Sequence, residues 1–119
     1  MRYLCLIYMS ADRDGRLTQA EIDALVRAHF TFDEALRRDG ILLHSDALEP
    51  PEKASVLRVR DGHLSATDGP FAETKEHLAG FYVIDAPDDA QAARIAARIP
   101  SACIGAVELR PVRLLSWPD

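Results

Sequence analysis

Cysteine is scarce in this chain of 119 residues: there are two, Cys5 and Cys103, far apart and both in apolar surroundings. No CxxC pair and no Cys/His cluster occurs, which argues against a zinc site. Both thiols are expected as small buried hydrophobes, a usage that fits a cytoplasmic protein. Long apolar runs are missing as well. Nothing approaches the roughly 18 residues needed to span a membrane. The start, Met1 to Met9, has a charge followed by an apolar run, as a signal peptide has. It is short and Tyr-rich, and Ser10-Ala11-Asp12-Arg13-Asp14 follows with no small-residue cleavage site, so it reads as a first strand. Basic excess is lacking too: 14 Lys and Arg face 19 Asp and Glu, for a net charge of -5. A nucleic-acid partner wants a basic face and is not expected; Arg58, Arg60, Arg110 and Arg113 read as a solvated face, with a local cationic patch as the alternative. No GxGxxG, P-loop or GxSxG motif is present, and Ser10, Ser45, Ser65, Ser101 and Ser116 carry no nucleophile signature. There is no solenoid-period repeat and no low-complexity segment.

What is present is ordinary for a globular chain: 48% hydrophobic and 28% charged residues. That length suffices for one domain, residues 1–119, with one core and no metal or disulfide support. Arg2 to Met9 is apolar at both parities, as in a strand covered on both faces. Asp12 to Arg16 reads as a polar loop. Thr18-Gln19-Ala20-Glu21 is a capping box, and Ile22, Leu25, Val26, His29, Phe32 and Leu36 follow at helical spacing. The helix is expected to reach about Arg38 and to stop near Gly40.

Ile41 to Ser45 reads as a second strand, and Glu49-Pro50-Pro51-Glu52-Lys53 as a connection. Val56 to Arg60 and His63 to Thr67 form a hairpin about Asp61-Gly62. Asp68 to Leu78 is expected as loop, with one helical turn after Pro70. Gly80 to Asp85 is a strand apolar on both faces. Asp88 and Gln91 stand in capping-box register before a helix with Ala92, Ile95, Ala96 and Ile99 on one side, ended by Pro100. Ala106 to Leu115 is the last strand, with Pro111 marking an edge or a frayed end.

The order β-α-β-(β-hairpin)-β-α-β is that of an α+β ferredoxin-like split βαβ, an antiparallel sheet with two helices on one face. Strands apolar on both sides then need a second cover. A second copy packing sheet to sheet is the simplest one, so a homodimer is expected.

Asp68-Gly69-Pro70-Phe71-Ala72-Glu73-Thr74-Lys75-Glu76 is the most distinctive stretch. It resembles the signature of the DGPF branch of the YCII-related family. The opening Tyr3 to Tyr8, the corner Phe32 to Leu42, Gly80-Phe81-Tyr82 and the end from Ile99-Pro100 to Val112 look like the same family. The resemblance implies a ferredoxin-like domain, commonly a dimer of the α/β-barrel kind. It also implies an association with extracytoplasmic-function sigma factors, hence a binding or regulatory module. A few relatives act on chlorinated aromatic compounds, which implies the alternative, an enzyme of lyase or dehydrochlorinase type.

His29 lies on the apolar stripe of the first helix, where such relatives often carry a histidine. In some of them it pairs with an aspartate just before the proline that ends the second helix; Ile99 stands there in this chain. His29 is then either a core histidine bonded to backbone or a cleft residue able to bind or to move a proton. Asp68, Gly69, Pro70 and Phe71 are explained as a turn anchored by an aromatic ring, or as part of a site. Glu73, Lys75, Glu76 and His77 form either a solvated loop or the contacts of a small polar ligand, with Lys75 as the anion partner. His44 and Asp46 share a strand side but are too few for a metal, and Glu108 and Arg110 read as an ion pair. No cofactor and no metal is expected; a small-molecule ligand is.

Overall fold

A computed structural model describes residues 1–119. The strand β1 (Arg2–Ser10) is its hub. It pairs antiparallel with β5 (Glu76–Asp85) on one side and with β6 (Ala106–Pro111) on the other. The strand β2 (Leu42–Ala47) adds to the far edge of β5, giving the order β2-β5-β1-β6. Two helices, α2 (Gln19–Arg38) and α3 (Asp89–Ala97), connect strands of this sheet. The result is a ferredoxin-like α+β fold.

Side chains alternate along a strand, so one face of β1 carries Tyr3, Cys5, Ile7 and Met9 and the matching face of β5 carries Tyr82 and Ile84. All six are buried, together with Phe32 and Leu36 of α2 and Ala92, Ile95 and Ala96 of α3. A large side chain buried in this way contributes roughly 1.5–3 kcal/mol. The Tyr3 hydroxyl leaves the core by donating to Asp89 Oδ1 at 2.7 Å. That bond, with burial, pushes its pKa up to about 12. Burial raises the Cys5 thiol to about 11, which makes it an inert packing group.

Local chemistry sets the ends of α2. Thr18 Oγ accepts from the Glu21 N–H at 3.1 Å while the Glu21 carboxylate accepts from the Thr18 N–H at 3.0 Å. At the other end Gly40 takes φ +73°, the left-handed value that favours glycine. Asp88 caps α3 by accepting from the Gln91 N–H at 2.8 Å.

Several sequence expectations are corrected. Ala11–Asp14 is a single helical turn, α1, because it is closed by the Gly15 N–H bonding to the Ala11 carbonyl. The stretch from Asp68 to Leu78 is loop only in its middle. Asp68 ends the strand β4 (His63–Asp68), Glu76 already begins β5, and no helical turn follows Pro70. The last strand stops at Pro111, which has no N–H to extend a ladder, and β6 is an edge strand. Cys103 is exposed rather than buried, since it sits in the 3-10 turn Pro100–Cys103 on the surface. On α2 only Phe32 and Leu36 of the apolar stripe are buried; Ile22 and Val26 are exposed.

The second sheet face has no helix. Leu4, Leu6 and Tyr8 of β1 and Phe81 and Val83 of β5 lie on it, half-buried. The pair His44–Asp46 (2.6 Å) flanks this stripe on β2, and the pair Arg110–Glu108 (3.7 Å) flanks it on β6. The hairpin of β3 (Ser55–Arg60) and β4 forms a separate two-stranded sheet. Its turn, Asp61-Gly62, has φ of 52° and 76°, as a two-residue hairpin of mirror-image type needs. Leu57, Val59 and Leu64 on the hairpin are exposed. The chain is therefore a slab, 47 × 47 × 20 Å, with a radius of gyration of 16.7 Å. A compact chain of this length would have about 13–14 Å. No helix is long and apolar enough to cross a membrane.

Gly105 sits where a Cβ would overlap the Tyr8 carbonyl and come within 2.9 Å of Met9 Sδ. Gly40, by contrast, has open space and only the cost of its φ. Gly105→Ala should lower Tm by roughly 5–10 °C, the usual size of an overpacking penalty in a chain of this length. Gly40→Ala should cost about 1 kcal/mol. Thermal unfolding of the two variants side by side checks the order.

Candidate functional site

The C-terminal half of α2 is pinned to the sheet by Phe32 and Leu36. A cleft of about 440 Å³ lies between the middle turns of the helix, Leu25 to Asp33, and the sheet. Leu25, Val26 and Phe30 of α2 and Ile7 and Met9 of β1 give it apolar walls. Gly80 of β5 lines it as well; a Cβ there would come within 2.8 Å of the Asp46 carbonyl, so glycine is what lets β2 close up against β5. The same stretch of β5 carries a bulge. Ile7 pairs with Gly80 and Tyr8 with Leu78, which leaves Ala79 unpaired toward β1.

A chain of polar groups forms the inner wall. His29 is half-buried, with Nδ1 2.8 Å from the Tyr82 hydroxyl and Nε2 2.7 Å from Ser101 Oγ. Tyr82 in turn donates to Asp33 Oδ1. Ser45 of β2 donates to the other Asp33 oxygen at 3.3 Å. Burial pushes His29 below the ordinary histidine pKa, against the opposing pull of the Asp33 charge. Burial and the bond to Asp33 push the Tyr82 phenol upward, so it stays protonated. Ser101 is buried in the 3-10 turn that follows Ile99-Pro100.

The carboxylate that bears on His29 is Asp33, one helical turn further along α2, linked to it through the Tyr82 hydroxyl. The i, i+4 spacing of His29 and Asp33 is a signal the sequence carries. Tyr82 was legible only as a strand residue of the buried parity. Ser101 has no local signature at all; it is brought to His29 by the turn after Pro100. Ile99, at the position where some relatives carry an aspartate, is a core residue.

The Asp-Gly-Pro-Phe segment lies elsewhere. Asp68, Gly69, Pro70, Glu73 and Lys75 line a shallow, mostly polar hollow of about 490 Å³ together with Glu52 and His77. Gly69 has φ +101°, and its N–H bonds to the Ala54 carbonyl at 2.7 Å, which ties the turn to the residue before β3. Phe71 is 82% exposed in this chain and anchors nothing in the core. Only the Arg58 guanidinium covers it, 5.6 Å from the ring centre. His77 approaches Asp14 at 3.7 Å rather than Glu73. Glu108 and Arg110 pair with each other two residues apart on β6.

Comparison with known proteins covers nearly the whole chain. The family model for the YCII-related domain matches residues 1–116. An uncharacterized protein of Rhizobium meliloti (strain 1021) is 42% identical over 116 residues, which is 96% of this chain and 94% of that one. Sheet, cleft and loop all fall inside residues 1–116, and the chain belongs to the YCII-related family.

Proposed function

We propose that this protein is a small-molecule-binding module whose ligand occupies the cleft beside His29. One observation carries the reading: an apolar-walled cavity of suitable size ends on a linked set of polar groups, Ser101, His29, Tyr82 and Asp33. Ligand sites usually have that composition, a greasy lining with a few convergent polar atoms. The regulatory role implied by the resemblance to the DGPF branch, with sigma-factor signalling as its setting, is part of this reading. So are a cytoplasmic location and a one-domain organisation. The alternative, a lyase- or dehydrochlorinase-type enzyme, draws on the neutral, proton-accepting state of His29. Against it, both ring nitrogens are already engaged. A thermal-shift screen of small aromatic and aliphatic compounds tests binding, since a ligand held by the folded state alone raises Tm by mass action. His29→Ala should abolish that rise. A rise that survives in the variant would move the site elsewhere.

The functional unit in this reading is a homodimer joined through the open sheet face. Its support is the stripe of Leu4, Leu6, Tyr8, Phe81 and Val83, which one chain leaves half uncovered. Light scattering should give twice 13.2 kDa. Leu6→Glu, which places a charge at the centre of the stripe, should give monomers. A stable monomer of the unaltered protein at micromolar concentration would contradict the dimer.

The state of His29 links to stability with a definite sign. Its folded pKa is below the unfolded one, so the unfolded chain binds the extra proton first. Stability from this group is complete above about pH 6.5 and is lost as the pH falls toward the lower, folded value. One histidine sets a slope of at most about 1.4 kcal/mol per pH unit. Urea unfolding at pH 7.5, 6.5 and 5.5 should show a steeper acid decline for the unaltered protein than for His29→Gln.

A further inference from the structure

The hydrogen bonds at the inner wall of the cleft have a direction, and it can be read from the chemistry of each group. A carboxylate at neutral pH only accepts. Asp33 therefore takes the single Tyr82 proton on one oxygen and the Ser45 proton on the other. With its proton committed, the Tyr82 oxygen can only accept from His29 Nδ1, 2.8 Å away. Nδ1 then carries the imidazole proton of neutral His29, and Nε2 is left as an acceptor. Its partner at 2.7 Å is Ser101, which must donate. Every proton in the chain points toward Asp33, and Ser101 has only lone pairs left to offer.

The charges around the cleft agree. Of its 14 lining residues none is lysine or arginine, and the one carboxylate set into its wall is that of Asp33, since the Asp46 carboxylate pairs with His44 on the other sheet face. An anion bound there would meet the lone pairs of Ser101 and the field of Asp33 with no cation to offset them.

We propose that the cleft selects an uncharged hydroxyl compound with an apolar body, whose O–H donates to Ser101 Oγ, and that it excludes carboxylates. The inference rests on the binding reading above and adds the class of ligand and a specificity-determining residue. Neither the resemblance of the Asp-Gly-Pro-Phe segment nor the hollow around Lys75 enters it.

Three probes of eight carbons each separate the two claims: 2-phenylethanol, its isomer benzyl methyl ether, and phenylacetate. The ether keeps an oxygen acceptor but has no proton to donate. Titration followed by the amide signals of Ala47, Ala79 and Gly80 locates binding in the cleft. At pH 7.5 the alcohol should bind about threefold to tenfold more tightly than the ether, the span of one neutral hydrogen bond. Phenylacetate should bind most weakly. In Ser101→Ala the alcohol should lose its advantage over the ether. An ether as tight as the alcohol, or phenylacetate as the tightest probe, overturns the assigned polarity and leaves the cleft as a binding site. If none of the three perturbs the cleft at millimolar concentration, the binding reading falls and this inference with it. The comparison among probes on the unaltered protein decides the matter even if Ser101→Ala does not fold.

Discussion

A four-stranded sheet has two faces, and this chain supplies helices for one. Most of the architecture follows from that imbalance. The covered face holds the large buried side chains, Tyr3, Ile84 and Leu36 among them. The uncovered face carries Leu4, Leu6, Phe81 and Val83 between two pairs of polar residues. Apolar side chains in the middle and charged ones at the rim is a composition common in protein interfaces, and it is this face that the proposed dimer would cover. The hairpin of β3 and β4 adds to the imbalance. It packs against no large part of the core and still exposes Leu57, Val59 and Leu64.

The cleft arises from a second mismatch, one of length. The helix α2 has 20 residues, roughly 30 Å, but the sheet beneath it is anchored only at Phe32 and Leu36. The remaining turns overhang. Their apolar side chains, Leu25, Val26 and Phe30, become a wall instead of a core. His29 and Asp33 sit where the packed half gives way to the overhang, which explains why a histidine on an apolar stripe is half-buried and fully bonded at once.

The sequence made the skeleton legible because that skeleton is written in local signals. The Thr18 capping box, the Asp61-Gly62 turn, Gly40 and Pro100 all stand at the boundaries where the chain changes direction. Alternation in Tyr3–Met9 disclosed a strand with two apolar sides. The site was less legible for a physical reason. Its four polar groups come from α2, β5 and a 3-10 turn and meet only through tertiary packing. His29 could be found from one helix, and Asp33 from its spacing to His29. Ser101 could not, since nothing about a serine after a proline says that a histidine will lie 2.7 Å away. Apolar periodicity also overstated the core. It marks which side of a helix avoids water, not how far along that side the protein extends, so Ile22 and Val26 share the stripe of Phe32 and Leu36 and yet are exposed.

The central position of β1 has a consequence for synthesis. Its partners are residues 76–85 and 106–111, which are made well after it. At roughly 5–20 residues per second the ribosome leaves Tyr3-Leu4-Cys5-Leu6-Ile7-Tyr8 without a partner for several seconds. That hexapeptide is uncharged, free of glycine and proline, and rich in strand-forming residues, the profile of an aggregation-prone segment. Each of its pairings closes a loop of dozens of residues, which slows folding further. Until those partners exist the strand can pair with other chains, so crowding of nascent chains threatens this fold earlier than it threatens the finished one.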